Sequence, residues 1–274
     1  MDEVNQGRRL PKPRVFSALW RSPLPHWRER LEDLVQRLPS GNKARLFFRA
    51  DDIGAAGYSF DALCALFREH GVPLALAVVP AWLTETRTAR ILASAPLHEN
   101  LWGWHQHGWR HVNWQKTGKK AEFGHQRPLE KQWRDIWRGN MKLLNIFQDR
   151  LLPVFTPPWN RCSATTLEVL AQLGFQAVST MDPLPKAGKN KGRLKNLRIA
   201  VDLHTRKHED GPADYAALLQ ELRAALNKDT PAGIMIHHQR MTSFAFTFLD
   251  ELLRQLRLSE KVEFLSFQDL LENP

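Results

Sequence analysis

Four clusters of side chains in this sequence have the types and spacing for hydrolytic chemistry. They are Asp51-Asp52, His107 with His111, Pro157-Pro158-Trp159-Asn160-Arg161, and His237-His238. Two adjacent carboxylates after an apolar run are costly to bury unless something positive sits beside them. In extended backbone their side chains point to opposite faces, so one can bind a metal while the other acts as a base. An acidic turn capping the next helix is the alternative. His107 and His111 are four apart, and one helical turn would set both imidazoles on one face for a divalent ion. His105 is assigned to the strand or to support of the ligands. Pro157-Pro158 stiffens the chain before an aromatic, a turn that can aim a backbone N–H at a substrate and offer an indole to a sugar. A packing tryptophan in a stiff loop is the alternative. His237 and His238 point to opposite sides of an extended segment, and a histidine titrating near neutrality suits a general acid or base.

Each cluster follows an apolar run. Residues 45–50, 73–79, 101–107, 153–159, 175–180, 197–203, 233–237 and 262–267 read as strands. Between them, helical spacing predicts helices over 59–70, 84–95, 130–149, 163–173, 213–227 and 243–257. Gly71 and Gly174 are placed as helix stops and Ser163 as a cap. Strand–helix alternation on this scale implies a mostly parallel sheet, and about seven strands suggest a distorted (β/α) barrel. In such barrels the reactive groups gather at the C-terminal ends of strands, where all four clusters lie. Residues 1–25, with Pro11, Pro13, Pro23 and Pro25, read as an extended N-terminal arm, and 26–274 as a single barrel domain.

The composition narrows the options. A chain of 274 residues that is 43% hydrophobic can bury a full core, which excludes wholesale disorder. No apolar run approaches the roughly 20 residues of a membrane helix, and no secretory signal is visible, so a cytoplasmic location is expected. Lys plus Arg exceed Asp plus Glu by ten, which favours anionic partners, yet no nucleic-acid motif accompanies that charge. Two cysteines, Cys64 and Cys162, make no disulfide framework or zinc spacing, and Cys64 sits on an apolar helix face.

Taken together, the four clusters resemble the motifs of the polysaccharide deacetylase family, the NodB-type carbohydrate esterases, from about residue 45 onward. Asp51-Asp52-Ile53-Gly54 looks like the first motif, His107-x-x-x-His111 the second, Pro157-Pro158-Trp159 the third, and Ile234-Met235-Ile236-His237 the last. The resemblance implies a NodB-type fold, Asp51 as catalytic base, and Asp52, His107 and His111 as metal ligands. It implies His237 as catalytic acid and Pro158, Trp159, Asn160 and Arg161 against the substrate. One divalent ion is implied, zinc first, with iron, cobalt or nickel able to fit the same donors. The sequence departs from the family in three places. Gly108 stands where the family has Ser or Thr. Thr156 stands where it has a base-orienting Arg, a role open to Arg161 or Arg49. The remaining Asp-containing motif has Asp202 as its candidate, and the part of His238 stays open.

The expected function is therefore removal of an N-acetyl group from an amino sugar or polysaccharide. The alternative is a glycan-binding barrel of the same family without turnover. Trp104, Trp109, Trp114 and Trp159 are candidate sugar platforms, with core packing the expected use of at least half. The expected partner is an N-acetylated glycan, with no specific nucleic acid and no membrane span.

Overall fold

A computed structural model describes residues 17–39, 41–186 and 194–272. The first helix, α1 (Trp27–Gln36), precedes β1 (Ala44–Ile53) and α2 (Tyr58–His70). Then come β2 (Leu74–Val78), α3 (Glu85–Ser94), β3 (Trp102–His107) and the long α4 (Leu129–Phe147). The second half runs β4 (Leu151–Thr156), α5 (Ala164–Gln172), β5 (Ala177–Val178), β6 (Lys195–Asn196) and β7 (Ile199–Asp202). It ends in α6 (Gly211–Leu226), β8 (Ala232–Ile236), α7 (Ser243–Leu258), β9 (Val262–Phe264) and α8 (Phe267–Glu272).

All strand pairs are parallel, in the order β6-β5-β4-β3-β2-β1-β8-β7, with β9 beside the start of β1. The sheet curls into a distorted (β/α) barrel. The last strands of its path, β6 and β7, are successive pieces of one run of chain. Leu197 and Ile199 N–H donate to Val178 and Thr180 on one side, and Gly233 N–H donates to Arg198 O on the other.

Local chemistry explains the elements. β2 is Leu-Ala-Leu-Ala-Val and wholly buried, as a parallel strand covered on both faces must be. α2 buries Phe60, Leu63, Cys64 and Phe67 at helical spacing and ends at Gly71, whose φ of 61° suits a residue without Cβ. Side-chain caps start α3, α5 and α6: Thr84 accepts from Arg87 N–H, Ser163 and Thr166 form a capping box, and Asp210 accepts from Ala213 N–H.

The extended arm expected over 1–25 falls mostly on residues that are not described. Residues 1–16 lie outside the described residues, but the chain from Ser17 is packed. Trp20 is fully buried and its indole N–H donates to Leu203 O at 2.8 Å. α1, not expected from the sequence, buries Trp27, Leu31, Leu34 and Val35. The physical reason is that three large aromatics, Trp20, Phe244 and Phe248, need one another to leave water.

Candidate metal centre and its flanking groups

β1 runs longer than expected and carries both aspartates within its C-terminal end. Alternation puts Arg49 and Asp51 on one face. Arg49, fully buried, donates from Nε to Asp51 Oδ1 at 2.7 Å and from Nη2 to Oδ2 at 2.9 Å. Burial pushes the Asp51 carboxyl up, but the Arg49 charge, the imidazoles of His107 and His237 and the Arg49 hydrogen bond together hold it below its ordinary value. Arg49 is itself fixed by Ser179, through O at 2.9 Å and Oγ at 2.7 Å, and by Asn160 Oδ1 at 2.7 Å. Of the two arginines open for holding Asp51, the structure selects Arg49. Arg161 instead donates to Lys120 O. Asn160, expected against substrate, is a partner of Arg49.

Asp52 points the other way from a left-handed backbone, φ 63°, clamped by a 2.7 Å bond from Gln239 Nε2 to its carbonyl. Its Oδ1 lies 3.2 Å from His107 Nε2 and 3.2 Å from His111 Nε2. One donor atom from each of Asp52, His107 and His111 fits within 4.8 Å of the others. Donors about 2.1 Å from a tetrahedral ion stand about 3.4 Å apart, so the three suit one shared ion. The chemistry of His107 agrees. Its Nδ1–H donates to Thr156 O at 2.9 Å, which turns the Nε2 edge of the ring toward Asp52, the edge that a metal would take in place of a proton. Burial pushes Asp52 up, yet the His107 hydrogen bond and both imidazoles hold it well below the carboxylate range. Burial, then His107, takes His111 down to about 4, so its ring is neutral near pH 7.

The histidine pair is not assembled by a helical turn. Residues 108–111 form an irregular loop, with Gly108 at φ 57° and His111 at φ 59°. Left-handed backbone recurs at Trp159, φ 57°, and Asn160, φ 58°. Four of the six non-glycine residues with positive φ among the described residues thus lie at this site, each costing on the order of 1 kcal/mol.

β4 ends at Thr156, whose hydroxyl meets His105 Nε2 at 3.0 Å. His105 Nδ1–H donates to Gly103 O, and burial takes this imidazole down to about 3. Thr156 therefore supports His105 and His107, while the arginine that holds Asp51 comes from β1. Pro158 is buried, and the Trp159 ring lies 4.4 Å from that of His111 between centroids. A cavity of about 480 Å³ adjoins Asn160 and Arg161, lined also by Gln115, Lys119 and Asp182. Trp104 is fully buried and stacks on Phe147, so it is core rather than a platform.

β8 delivers His237, whose Nδ1 lies 3.9 Å from Asp202 Oδ1 and has no hydrogen-bond partner. Asp202 in turn accepts from the N–H groups of His204 and Thr205. His238 turns inward and packs on Phe60. Gln239, bonded to the Asp52 carbonyl, and Glu122, bonded to the loop of His111, were not identified from the sequence. A signal was present for one relative of theirs: a lone Arg49 inside an apolar strand survives burial only with a carboxylate beside it.

No family model and no curated protein matches the sequence. Solved structures do. A protein from Mycobacterium smegmatis assigned as a polysaccharide deacetylase superposes with TM-score 0.64 at 17% identity, over 85% of this chain and 91% of that one. A family 4 acetyl xylan esterase from Clostridium thermocellum, in complex with a cobalt ion, gives 0.52 at 14%, over 83% and 90%. A CE4 family pseudoenzyme from Bacillus anthracis gives 0.52 at 12%, over 85% and 66%. The chain has the fold of the polysaccharide deacetylases and CE4 carbohydrate esterases.

Proposed function

We propose that this protein is a metal-dependent hydrolase that removes an N-acyl group, acetyl foremost, from an amino sugar of a glycan. The observation that carries the reading is the pairing of an Asp-His-His donor set with a second carboxylate, Asp51, kept ionised by a buried arginine. Asp52, His107 and His111 would hold a divalent ion, which would supply Lewis acidity toward the acyl carbonyl and lower the pKa of water. Asp51 is the base: each of its oxygens keeps a lone pair beyond the Arg49 bond and can take the attacking water's proton. The Trp159 N–H is the candidate donor to the oxyanion, since the N–H groups of Asn160 and Arg161 turn back to Pro157 and Pro158. His237 gives its proton to the leaving nitrogen, without which an amide does not part. Asp202 Oδ1 stands 3.9 Å behind its Nδ1. Asn160 and Arg161 border the adjoining cavity, where a neighbouring sugar fits, and Pro158 and Trp159 precede them in the same turn. Zinc suits this donor set, and cobalt, iron or nickel are its alternatives.

A second reading, glycan binding without turnover, draws on Thr156 and on the pseudoenzyme among the similar structures. The Arg49–Asp51 pair argues against it, because it fulfils what an arginine at 156 would do.

The test measures metal content and acetate release from a panel of N-acetylated oligosaccharides. Wild type should hold about one ion per chain and release acetate. Asp51→Ala should keep the ion and lose activity by roughly 10²- to 10⁴-fold, whereas Asp52→Ala should lose the ion. Metal without acetate from wild type favours the binding protein, and no metal removes the mechanism.

A further inference from the structure

The loop after β3 has a mechanical problem. It must bring His111 back beside His107 without a helix, through two left-handed residues, and this turns successive backbone N–H groups toward one point. That point is filled by the carboxylate of Glu122, whose residue is wholly buried. Its Oε2 accepts from Trp109 N–H and from His111 N–H, both at 3.1 Å, and its Oε1 accepts from Arg110 N–H at 2.8 Å. Convergent backbone N–H groups of this kind make an anion-binding concavity, here occupied by the chain's own carboxylate.

Space at Gly108 points to the same conclusion. A Cβ there would stand 2.4 Å from Glu122 Oε2 and 2.5 Å from Pro158 Cγ. A side chain at 108, where the resembled family carries a hydroxyl, and the Glu122 carboxylate cannot share that volume. Glu122 is firmly mounted. Arg127 Nη1 donates to its carbonyl at 3.3 Å, and Ser163 N–H donates to the carbonyl of the next residue, Phe123, at 2.9 Å. Arg127 is paired with Asp135 of α4, so the mount reaches two helices, α4 and the start of α5.

We infer that Glu122 is the positioning residue that presents His111 to the metal site, replacing from a later part of the loop what a side chain at 108 would supply. Its carboxylate holds the backbone of the ligand rather than its ring, so the imidazole stays free to bind. This inference rests on the reading of Asp52, His107 and His111 as a metal site.

The experiment titrates the metal-free full chain with Co²⁺, following calorimetry and the visible absorption of the bound ion. Four proteins are compared: wild type, Glu122→Gln, His111→Ala and the double variant. Glu122→Gln should bind roughly 10- to 100-fold more weakly than wild type and shift the absorption toward that of His111→Ala. In the His111→Ala background the same change should add nothing, because its effect passes through that ligand. Affinity equal to wild type in Glu122→Gln, or an equal further loss in the double variant, overturns the inference and leaves the metal site standing. A wild type that binds no Co²⁺ overturns both. Should Glu122→Gln not fold, amide exchange in metal-free wild type decides. The N–H groups of Trp109, Arg110 and His111 should exchange slowly, and free exchange overturns the inference.

Discussion

Asp51 and His237 face one site but are held in opposite ways. Both oxygens of Asp51 are gripped by a fully buried guanidinium at 2.7 and 2.9 Å. His237 is half-buried, and its nearest carboxylate oxygen stands 3.9 Å off. The difference suits the tasks proposed for them. A base must be charged and aimed before the substrate arrives, and a low-dielectric pair with a fixed fork does this. An acid must accept and release a proton during turnover, and a loosely held imidazole changes charge at smaller cost. One side of the site is therefore part of the core, and the other is part of the mouth.

The largest effect that would sharpen this contrast lies on the closed side. Arg49→Met leaves Asp51 buried without its cation, and should cost about 3–5 kcal/mol of stability together with activity. Urea unfolding checks it, and a loss under 1 kcal/mol would break the comparison. Arg49→Lys should recover little, since an ammonium lacks the fork that meets both oxygens. On the open side, Asp202→Asn should lower kcat roughly 10- to 100-fold while shifting stability by less than about 1 kcal/mol. A stability loss matching that of Arg49→Met would show that both sides are core.

The smallest effect concerns pH. His204 lies under the open side, 1% exposed, with Nδ1 accepting from His237 N–H at 3.4 Å. Burial, with the charges of His237 and His238, holds its imidazole well below the ordinary value near 6.5. Its folded pKa is thus depressed, so between that value and 6.5 the unfolded chain binds the extra proton. Stability from this group is whole above about pH 6.5 and falls as pH drops below it. Thermal melts from pH 7.5 to 5 should show this slope in wild type and a flatter one in His204→Phe. Equal slopes would remove His204 as their source.

How much of this was legible in the sequence can be argued from particular residues. The apolar runs and helix stops are local signals, and Leu74–Val78 or Gly71 act through their own backbone preferences. The four clusters were legible because carboxylates and imidazoles at strand ends are chemically conspicuous. The helical turn expected at His107 to His111 was not found, because spacing alone does not distinguish a helix from a loop that a buried carboxylate holds from behind. α1 was overlooked although Trp27, Leu31, Leu34 and Val35 have helical spacing, since the neighbouring prolines suggested an extended arm.

By itself the sequence determined the order of strands and helices, the parallel sheet, and which residue types stand at the strand ends. These depend on hydrophobic periodicity and backbone conformation within a few residues. Tertiary structure alone decided that Arg49 rather than Arg161 holds Asp51, that Asn160 serves that arginine, and that Glu122 braces the loop of His111. Those choices depend on where separate strands and loops meet. A buried charge accepts whichever partner the packing brings within hydrogen-bond reach, and the distance along the chain sets no preference among them.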